Sequence, residues 1–470
     1  MDGPRTSIAL SEAALPAIAA RGVPVPSFDR QRLVPRILHV GVGGFHRAHM
    51  ALYTHELAEL GSEWGIRGVG LLAQDVRMAA ALAPQDHLYT LVERGSDTRS
   101  PQVVGSIIDY RLAHTEPNVA SELIADPDVS IVSLTITEAG YGDGGRSGTT
   151  TFDVIAAGLE QRCAAGRLPV TIVSCDNLPG NGDAARRSTL IAGRRRGAWL
   201  AEWIERQCTF PNSMVDRITP VTSDGDRAWL REVVGIEDRW PVVAEPFRQW
   251  VIEDVFANGR PRWEDVGVLF TDRVHDWELY KLRLLNAGHS SMAYLCTLAG
   301  MTYVDEAMAT AEVRQFLERL LHLEAVPSLQ HIPGHPASDY VASVLDRFAN
   351  TGVRDQIARL CIDGSAKFPT FLLPTVAFQL EHDGPIAGSA LALAGWARYL
   401  ATLPAGDQAS DVAGDAARQH ARQAADDPAR FLDFAAVFPL EVADSGRFRI
   451  AFADAWDRIG EVGALAAMGE

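Results

Sequence analysis

The chain has 470 residues, a formal net charge of −17, 47% hydrophobic residues and 22% charged residues, which is typical of a soluble globular protein with two or three domains. Its acidic balance argues against binding to nucleic acid or to an anionic membrane surface, since both need a basic footprint. No stretch is typical of a signal peptide or a membrane span, and the five scattered cysteines suggest neither disulfides nor a structural zinc site, so we expect a cytoplasmic protein with no metal site.

The first half of the chain alternates short apolar runs with helical patterns. The predicted elements, in chain order, are strand 36–44, helix 45–60, strand 65–72, helix 120–125, strand 129–137, helix 153–165, strand 170–175, helix 183–207 and extended segments at 240–254 and 267–270. Alternating strands and helices predict βαβ units around a parallel sheet. We therefore expect an α/β nucleotide-binding domain over residues 1–276.

The second half is dominated by helical periodicity. The predicted helices are 278–300, 305–323, 338–349, 353–361, 388–402 and 427–437. Segments rich in proline and glycine at 326–337 and 363–374 separate some of these helices, and residues 404–427 predict an exposed loop with a surface helix. We therefore expect a mainly α-helical domain over residues 277–470.

A glycine loop follows the first predicted strand and opens the first helix. The residues of this segment that we expect to contact a cofactor are Gly41, Val42, Gly43, Gly44, Phe45, His46 and Arg47. Glycine lets the backbone approach a pyrophosphate, and a helix N-terminus supplies hydrogen-bond donors and a positive dipole. His46 takes the third fingerprint position, where the generic motif has glycine, so a tight turn in an unrelated α/β protein is the alternative interpretation.

An acidic residue, Asp75, follows the end of the second predicted strand. A carboxylate there can accept hydrogen bonds from the ribose hydroxyls of NAD and repel the 2′-phosphate of NADP. Its separation from the glycines exceeds the usual distance of about 20 residues, and Arg77 lies close by. The pattern favours NAD, with NADP as the weaker alternative.

The chain contains only two lysines, Lys281 and Lys367, against 41 arginines. Arginine stays protonated at any workable pH, whereas burial can lower the pKa of a lysine towards ~7–8, the range of a general base. At regular α-helical spacing, Glu278, Asn286 and His289 share one arc of a helix with Lys281, among leucines. The alternative is that this arc is a solvated polar face.

Six separated motifs resemble those of the polyol-specific long-chain dehydrogenases, the family that includes mannitol 2-dehydrogenases and fructuronate (mannonate) reductases. They are GVGGFHRAH at 41–49, SLTITEAGY at 133–141, SCDNLPGNG at 174–182, NSMVDRITP at 212–220, the spacing K-x4-N-x2-H at 281–289 and DGSAKFP at 363–369. The resemblance implies a Rossmann-type NAD-binding domain followed by a mainly α-helical catalytic domain, and metal-independent oxidation of an alcohol.

The resemblance also implies roles for individual residues. The catalytic residues would be Lys281 as general base, Asn177 and Asn286 as amide donors to the reacting oxygen, and Glu278 as a carboxylate that passes the proton to solvent. The residues on the substrate side would be His289, Asp216, Arg359 and Lys367. His289 as a structural histidine and Glu278 as a carboxylate in the first turn of a helix are the alternatives.

The implied function is NAD-dependent interconversion of D-mannitol and D-fructose, or of a close polyol such as arabinitol or sorbitol and its ketose. A hexuronate reductase acting on mannonate and fructuronate is the alternative within the enzymes, and a non-catalytic NAD or sugar sensor is the alternative outside them. Gln74 stands where the mannitol branch commonly has a glutamate, which weakens the exclusion of NADP. We expect a small-molecule substrate and a monomer or small homo-oligomer.

Overall fold

The computed structural model describes residues 6–116, 118–141, 150–403, 411–425 and 427–469. The chain divides into two compact units, Met1–His275 and Asp276–Glu470. The first unit is built on a parallel sheet with helices and the second is helical, so the predicted fold class is confirmed. Among the described residues, no helix is long and apolar enough to cross a membrane.

A five-stranded parallel sheet is the framework of the N-terminal unit. The strands of this unit are β1 Ile8–Ala9, β2 Val34–Val40, β3 Trp64–Gly70, β4 Tyr89–Arg94, β5 Arg99–Val104, β6 Ile107–Leu112, β7 Ile131–Leu134, β8 Thr171–Ser174, β9 Ser213–Asp216, β10 Ile236–Glu237, β11 Val242–Ala244, β12 Gln249–Ile252 and β13 Leu269–Phe270. The sheet has the order β6-β3-β2-β7-β8. Because the order runs outward from β2 in both directions, the carboxyl end of β2 is the switch point at which α/β proteins bind ligands.

Both faces of the central sheet are buried. Ile37 and Ile131 belong to one apolar cluster, while the next residues along their strands, Leu38 and Val132, belong to the other. Strands that are buried on both faces read as continuous apolar runs, which is why the sequence predicts them well. The β4–β6 region was not predicted, because its strands mix polar and apolar residues.

The smaller sheets have the orders β11-β4-β5, β13-β12-β9 and β1-β10. The predicted extended segment at 240–254 is therefore two separate strands, β11 and β12. Between them Glu245 turns its carboxylate to the N–H of Ile218 at 2.6 Å, and a proline follows it. The N–H of Glu245 also donates to the carbonyl oxygen of Ile218 at 3.0 Å, so Glu245 is bonded to Ile218 where β11 ends.

Two of the predicted helices of the N-terminal unit are each broken into two shorter helices. The helices of this unit are α1 Leu15–Ala19, α2 Gly44–Ala48, α3 Met50–Glu59, α4 Val76–Leu82, α5 Val119–Ile124, α6 Thr151–Ala164, α7 Asn181–Arg196, α8 Ala198–Gln207 and α9 Asp224–Trp229. The predicted helix 45–60 is broken at His49, whose backbone leaves helical geometry and whose Nε2 bonds to the carbonyl oxygen of Gln249 at 2.9 Å. The predicted helix 183–207 is broken at Gly197.

The helices from residue 274 onward pack around a core that includes Tyr294, Phe368 and Trp396. They are α10 Val274–Tyr280, α11 Ala287–Leu298, α12 Val304–Met308, α13 Ala311–Arg319, α14 Ala337–Phe348, α15 Ile357–Leu360, α16 Gly364–Phe371, α17 Leu373–Glu381, α18 Ala387–Thr402, α19 Gly414–Gln423, α20 Leu440–Ala443, α21 Gly446–Val462 and α22 Ala464–Gly469. Single π-helical turns occur at Leu230–Val234, Lys281–Asn286 and Leu320–Ala325.

Several helix predictions for the second half were wrong in detail. The predicted break at 363–374 is largely helical, with Pro369 inside α16, whereas the predicted helix 353–361 is helical only in α15. The backbone of Arg354 adopts a left-handed φ of +49°, which delays the start of that helix. The segment 427–437 forms a 3-10 turn, Pro428–Asp433, instead of an α-helix. Part of the predicted loop at 404–427 lies outside the described residues.

Candidate active site

The glycine loop leaves the carboxyl end of β2, at the switch point of the sheet. Gly41 has a φ of +92°, and any side chain there would collide with the carbonyl oxygen of Thr135. A Cβ on Gly43 would meet nothing closer than the Gly41 carbonyl oxygen at 3.8 Å, so the space beside Gly43 is open. Helix α2 begins at Gly44, and its first N–H groups have no partners within the helix. Open glycine backbone at a helix start fits the diphosphate of NAD.

Arg47, which the sequence predicts as a cofactor contact, is turned into the protein and is only 1% exposed. Its guanidinium donates to the carbonyl oxygens of Gly43 and Trp240 and lies over the ring of Tyr89, 5.3 Å from its centroid. Burial lowers the pKa of Arg47 to about 10, which still leaves it charged at neutral pH. The side chain supports the glycine loop from inside.

His46 stacks face to face on His39 of β2, with ring centroids 3.4 Å apart. The His39 ring is held by the hydroxyls of Ser133 at 2.8 Å and Thr135 at 3.0 Å. Within the described part of the chain, neither ring nitrogen of His46 has a hydrogen-bond partner. Burial lowers the pKa of both imidazoles, so they are neutral, and His46 itself is only 1% exposed.

Asp75 lies on a 3-10 turn just beyond β3. Its Oδ2 accepts the N–H of Leu72 at 2.8 Å, which fixes the turn. The carboxylate and the phenol of Tyr110 both lie against Gly70, the last residue of β3, and burial together with Asp75 raises the pKa of that phenol. Since β3 is the neighbour of β2, the carboxylate lies where α/β proteins recognise a ribose. The preceding residue, Gln74, is exposed.

Asn177 follows β8, at the same edge of the sheet as the glycine loop, and is exposed. Asp216 is the last residue of β9, is buried and pairs with Gln249 on β12. A hydrogen-bond network centred on Asp176 connects the loop after β8, which holds Asn177, to the loop after β7 and to the start of β9. The sequence reasoning missed this network, although Asp176 lies inside a motif that the resemblance had marked.

Lys281 and Asn286 are the first and last residues of a π turn. The N–H of Ala287 bonds to the carbonyl oxygen of Leu282, five residues back, which is the π spacing. Because a π turn holds one extra residue, residues five apart across it stand about 40° apart, as residues four apart do in an α-helix, whereas regular α spacing separates them by about 140°. The spacing within the predicted arc is therefore corrected, and the backbone positions of Lys281 and Asn286 share one face. Such turns are rare and are frequently found at functional sites.

The neighbours of this turn are firmly packed. Glu278, three residues before Lys281, is buried. His289 is half-buried and stacks on Phe348 with ring centroids 3.9 Å apart. Leucines 282, 284 and 285 of the turn itself are buried, so the polar side chains of this segment emerge from an apolar helix.

Arg359 and Lys367 come together near the end of α15. Lys367 donates to the carbonyl oxygen of Leu360 at 3.1 Å, and burial together with the charge of Arg359 lowers the pKa of Lys367. Arg359 forms a two-pronged ion pair with Asp355, with one arm at 2.8 Å, and this bond raises the pKa of Arg359. The helix that carries Lys367, α16, packs against both the π turn and α11.

Two protein families match the chain. The family described as the mannitol dehydrogenase Rossmann domain matches residues 35–265. The family described as the mannitol dehydrogenase C-terminal domain matches residues 273–460. Together the two matches extend over most of both units.

Individual relatives match over nearly the whole chain. The mannitol 2-dehydrogenase of Phaeosphaeria nodorum is 39% identical over 474 residues, which cover 96% of this chain and 84% of the relative. The solved Pseudomonas fluorescens mannitol 2-dehydrogenase, a ternary complex with NAD and D-mannitol, is 37% identical with a TM-score of 0.85 and covers 98% of this chain and 99% of its own. A substrate-free D-sorbitol dehydrogenase is 34% identical with a TM-score of 0.89 and covers 98% of this chain and 100% of its own.

Proposed function

Because the chain belongs to the mannitol dehydrogenase family and is an oxidoreductase acting on CH–OH groups, we propose that it oxidises a polyol at C2 to a ketose with NAD. The proposed reaction converts D-mannitol to D-fructose, or a close polyol such as arabinitol or sorbitol to its ketose, and runs in reverse as a reduction. It uses no metal ion and takes Lys281 as its general base. The observation that supports this proposal best is the π turn at Lys281–Asn286, whose backbone spacing favours one face for the Lys281 amine and the Asn286 amide.

The proposed chemistry divides the hydrogen atoms of the alcohol. The glycine loop would hold NAD, whose nicotinamide would supply the acceptor for the hydride that leaves C2. The neutral amine of Lys281 takes the hydroxyl proton, which an arginine could not do because its guanidinium stays protonated. Asn177 and Asn286 each donate an amide N–H to the oxygen as it gains negative charge, a preorganised interaction whose loss costs about 10²–10³-fold in rate. Glu278 passes the proton from Lys281 to solvent.

The proposed substrate is an uncharged polyol, and the surroundings of the two cations of the helical unit support this choice. Two nitrogens of Arg359 are already bonded to the carboxylate of Asp355, so the charge of Arg359 is balanced. Lys367 is half-buried, donates to a backbone carbonyl and has the carboxylates of Asp363 and Asp411 near enough to favour its charged form. A uronate carboxylate would need an unpaired cation, whereas polyol hydroxyls need only donors and acceptors.

A substrate panel tests the proposal. Purified protein is assayed with D-mannitol, D-arabinitol, D-sorbitol and D-mannonate, each with NAD and with NADP, before and after treatment with a chelator. We expect oxidation of at least one polyol, a preference for NAD, and no loss of rate after chelation. Turnover of mannonate but of no polyol would replace the proposal with the hexuronate reductase, and turnover of neither class would favour the sensor.

A further inference from the structure

Asp176 is the second residue after the end of β8. It is 7% exposed, and its carboxylate is buried. Its Oδ1 accepts the N–H of Thr137 at 2.8 Å. Its Oδ2 accepts the N–H of Ile136 at 3.1 Å and the hydroxyl of Tyr141 at 2.6 Å. All three donors belong to the loop that follows β7. The carboxylate therefore joins the end of β7 to the end of β8.

These hydrogen bonds hold a strained backbone. Thr137 has a φ of +65°, which a β-branched residue rarely adopts and which costs about 1–3 kcal/mol. Burial and the charge of Asp176 raise the pKa of Tyr141, so the phenol stays protonated and keeps its role as donor. Strain of this kind persists only where the surroundings enforce it, and it is concentrated at functional sites.

The backbone of Asp176 is fixed as well as its side chain. Its carbonyl oxygen accepts the Nδ2–H of Asn181 at 3.1 Å, and the same nitrogen donates to the carbonyl oxygen of Ser213 at 2.7 Å. The N–H of Ser213 donates in return to Oδ1 of Asn181 at 2.9 Å. The Asp176 carbonyl is part of the peptide group that leads into Asn177, and Ser213 begins the strand that ends at Asp216. The buried side chain of Asn181 thus connects the loop after β8, which holds Asn177, to strand β9, which ends at Asp216.

We propose that Asp176 is a positioning residue of the dehydrogenase reaction, an inference that rests on the proposed function of Asn177. The loop beyond β8 has no strand or helix to hold it until α7 begins at Asn181. An amide that stabilises a reacting oxygen must be held to within about 0.5 Å. The side chain of Asp176 supplies this constraint towards β7, and its carbonyl group supplies it towards β9. In this scheme Asp176 touches no reacting atom and acts through Asn177.

A double-mutant cycle tests this role. Asp176→Asn keeps the shape of the side chain, but it places an NH₂ group, which cannot accept a hydrogen bond, opposite at least one of the three donors. We expect kcat for polyol oxidation to fall about 10- to 100-fold, because a small misplacement of a catalytic group has an effect of this order, with the KM for NAD changing less than about threefold. In an Asn177→Ala background the same substitution should lower kcat by less than about a further threefold, since the group through which Asp176 acts is gone.

A second buried carboxylate provides the matched control. Glu324 is 4% exposed and also accepts two backbone N–H groups, from Gly388 and Ser389, and one hydroxyl, from Ser389. None of these partners is a candidate site residue. We expect Glu324→Gln to lower the Tm as Asp176→Asn does, but to change kcat by less than about threefold.

Three results would overturn the inference. The first is a wild-type kcat in a folded Asp176→Asn variant, and the second is a loss of rate that multiplies fully with that of Asn177→Ala. The third result is a wild-type protein that oxidises no polyol or aldonate, which overturns the proposed function together with this inference. An active wild type with an additive cycle overturns the positioning role alone.

If Asp176→Asn does not fold, Tyr141→Phe replaces it in the same cycle, since it removes only one of the three donors.

Discussion

The two units hold their candidate residues by different means. In the N-terminal unit, Asn177 lies on a loop whose backbone is fixed by buried side chains, above all Asp176 and Asn181. In the C-terminal unit, Lys281 and Asn286 lie within a helix, and a change of helical register decides which face they share. A loop lacks regular backbone hydrogen bonds and has to be fixed by side chains, whereas a helix is already rigid and needs only the right spacing.

This difference predicts different sensitivities. The loop should respond to the loss of single hydrogen bonds, since each one fixes a separate part of its backbone. The helix should tolerate such losses but should respond strongly to a change in the number of residues between Lys281 and Asn286. Substitutions and insertions placed in each region can therefore separate the two mechanisms.

The largest effect is expected at Lys281. Lys281→Ala should lower kcat about 10²–10⁴-fold, the usual contribution of a general base, while NAD binding measured by fluorescence titration stays unchanged. Lys281→Arg should be equally impaired, because a guanidinium cannot take up the proton. Lys367→Arg is the matched control and should keep kcat within about tenfold, since this lysine is proposed only to bind. Activity of Lys281→Ala within tenfold of the wild type would mean that another group is the base.

The next largest effect is expected from adding one residue to the π turn. Insertion of one alanine after Arg283 should rotate Asn286 by about 100° relative to Lys281 and take the two off one face, with a fall in kcat of about 10²-fold. Arg283→Ala separates the loss of the side chain, which donates to the carbonyl oxygen of Ser328 at 2.6 Å, from the change of register. Insertion of one alanine after Val233, an exposed residue of another π turn, should lower the Tm without this loss of kcat. Equal kcat for the two insertions would show that the register does not matter.

The comparison also explains what the sequence can and cannot predict. Runs such as residues 37–40, interrupted only by His39, predict the central strands because burial on both faces demands near-continuous apolar residues, and the glycine loop is visible because only glycine fits at position 41. The π turn has no such signal, since its spacing depends on how the helix packs. The partners of Asp176 are likewise set by topology, which brings the ends of β7 and β8 together across about 40 residues of chain. The inward turn of Arg47 is another result of packing that composition does not indicate.

A smaller effect is expected at Asp75, whose carboxylate is held by a turn and not by a network. Asp75→Asn removes the charge but leaves an oxygen for the N–H of Leu72. We expect the ratio of kcat/KM for NADP to that for NAD to rise about tenfold, the order of a single charge interaction at a protein surface. Gln74→Ala is the control and should change the ratio little. An unchanged ratio in Asp75→Asn would mean that this carboxylate does not face the ribose.

The last expected effect is on stability and not on rate, and it concerns a residue of the N-terminal unit. Burial lowers the pKa of His49 from 6.5 to about 3, so between these values the unfolded chain binds a proton that the folded chain excludes. The free energy of unfolding is therefore at its full value above pH 6.5, and it falls by about 1.4 kcal/mol per pH unit as the pH is lowered from 6.5 towards 3. His49→Gln keeps a donor for the carbonyl oxygen of Gln249 and should flatten the dependence of the unfolding free energy on pH by about one proton. The same substitution at the exposed His114 is the control, and an equal slope in both variants would mean that His49 is not the group that acid titrates.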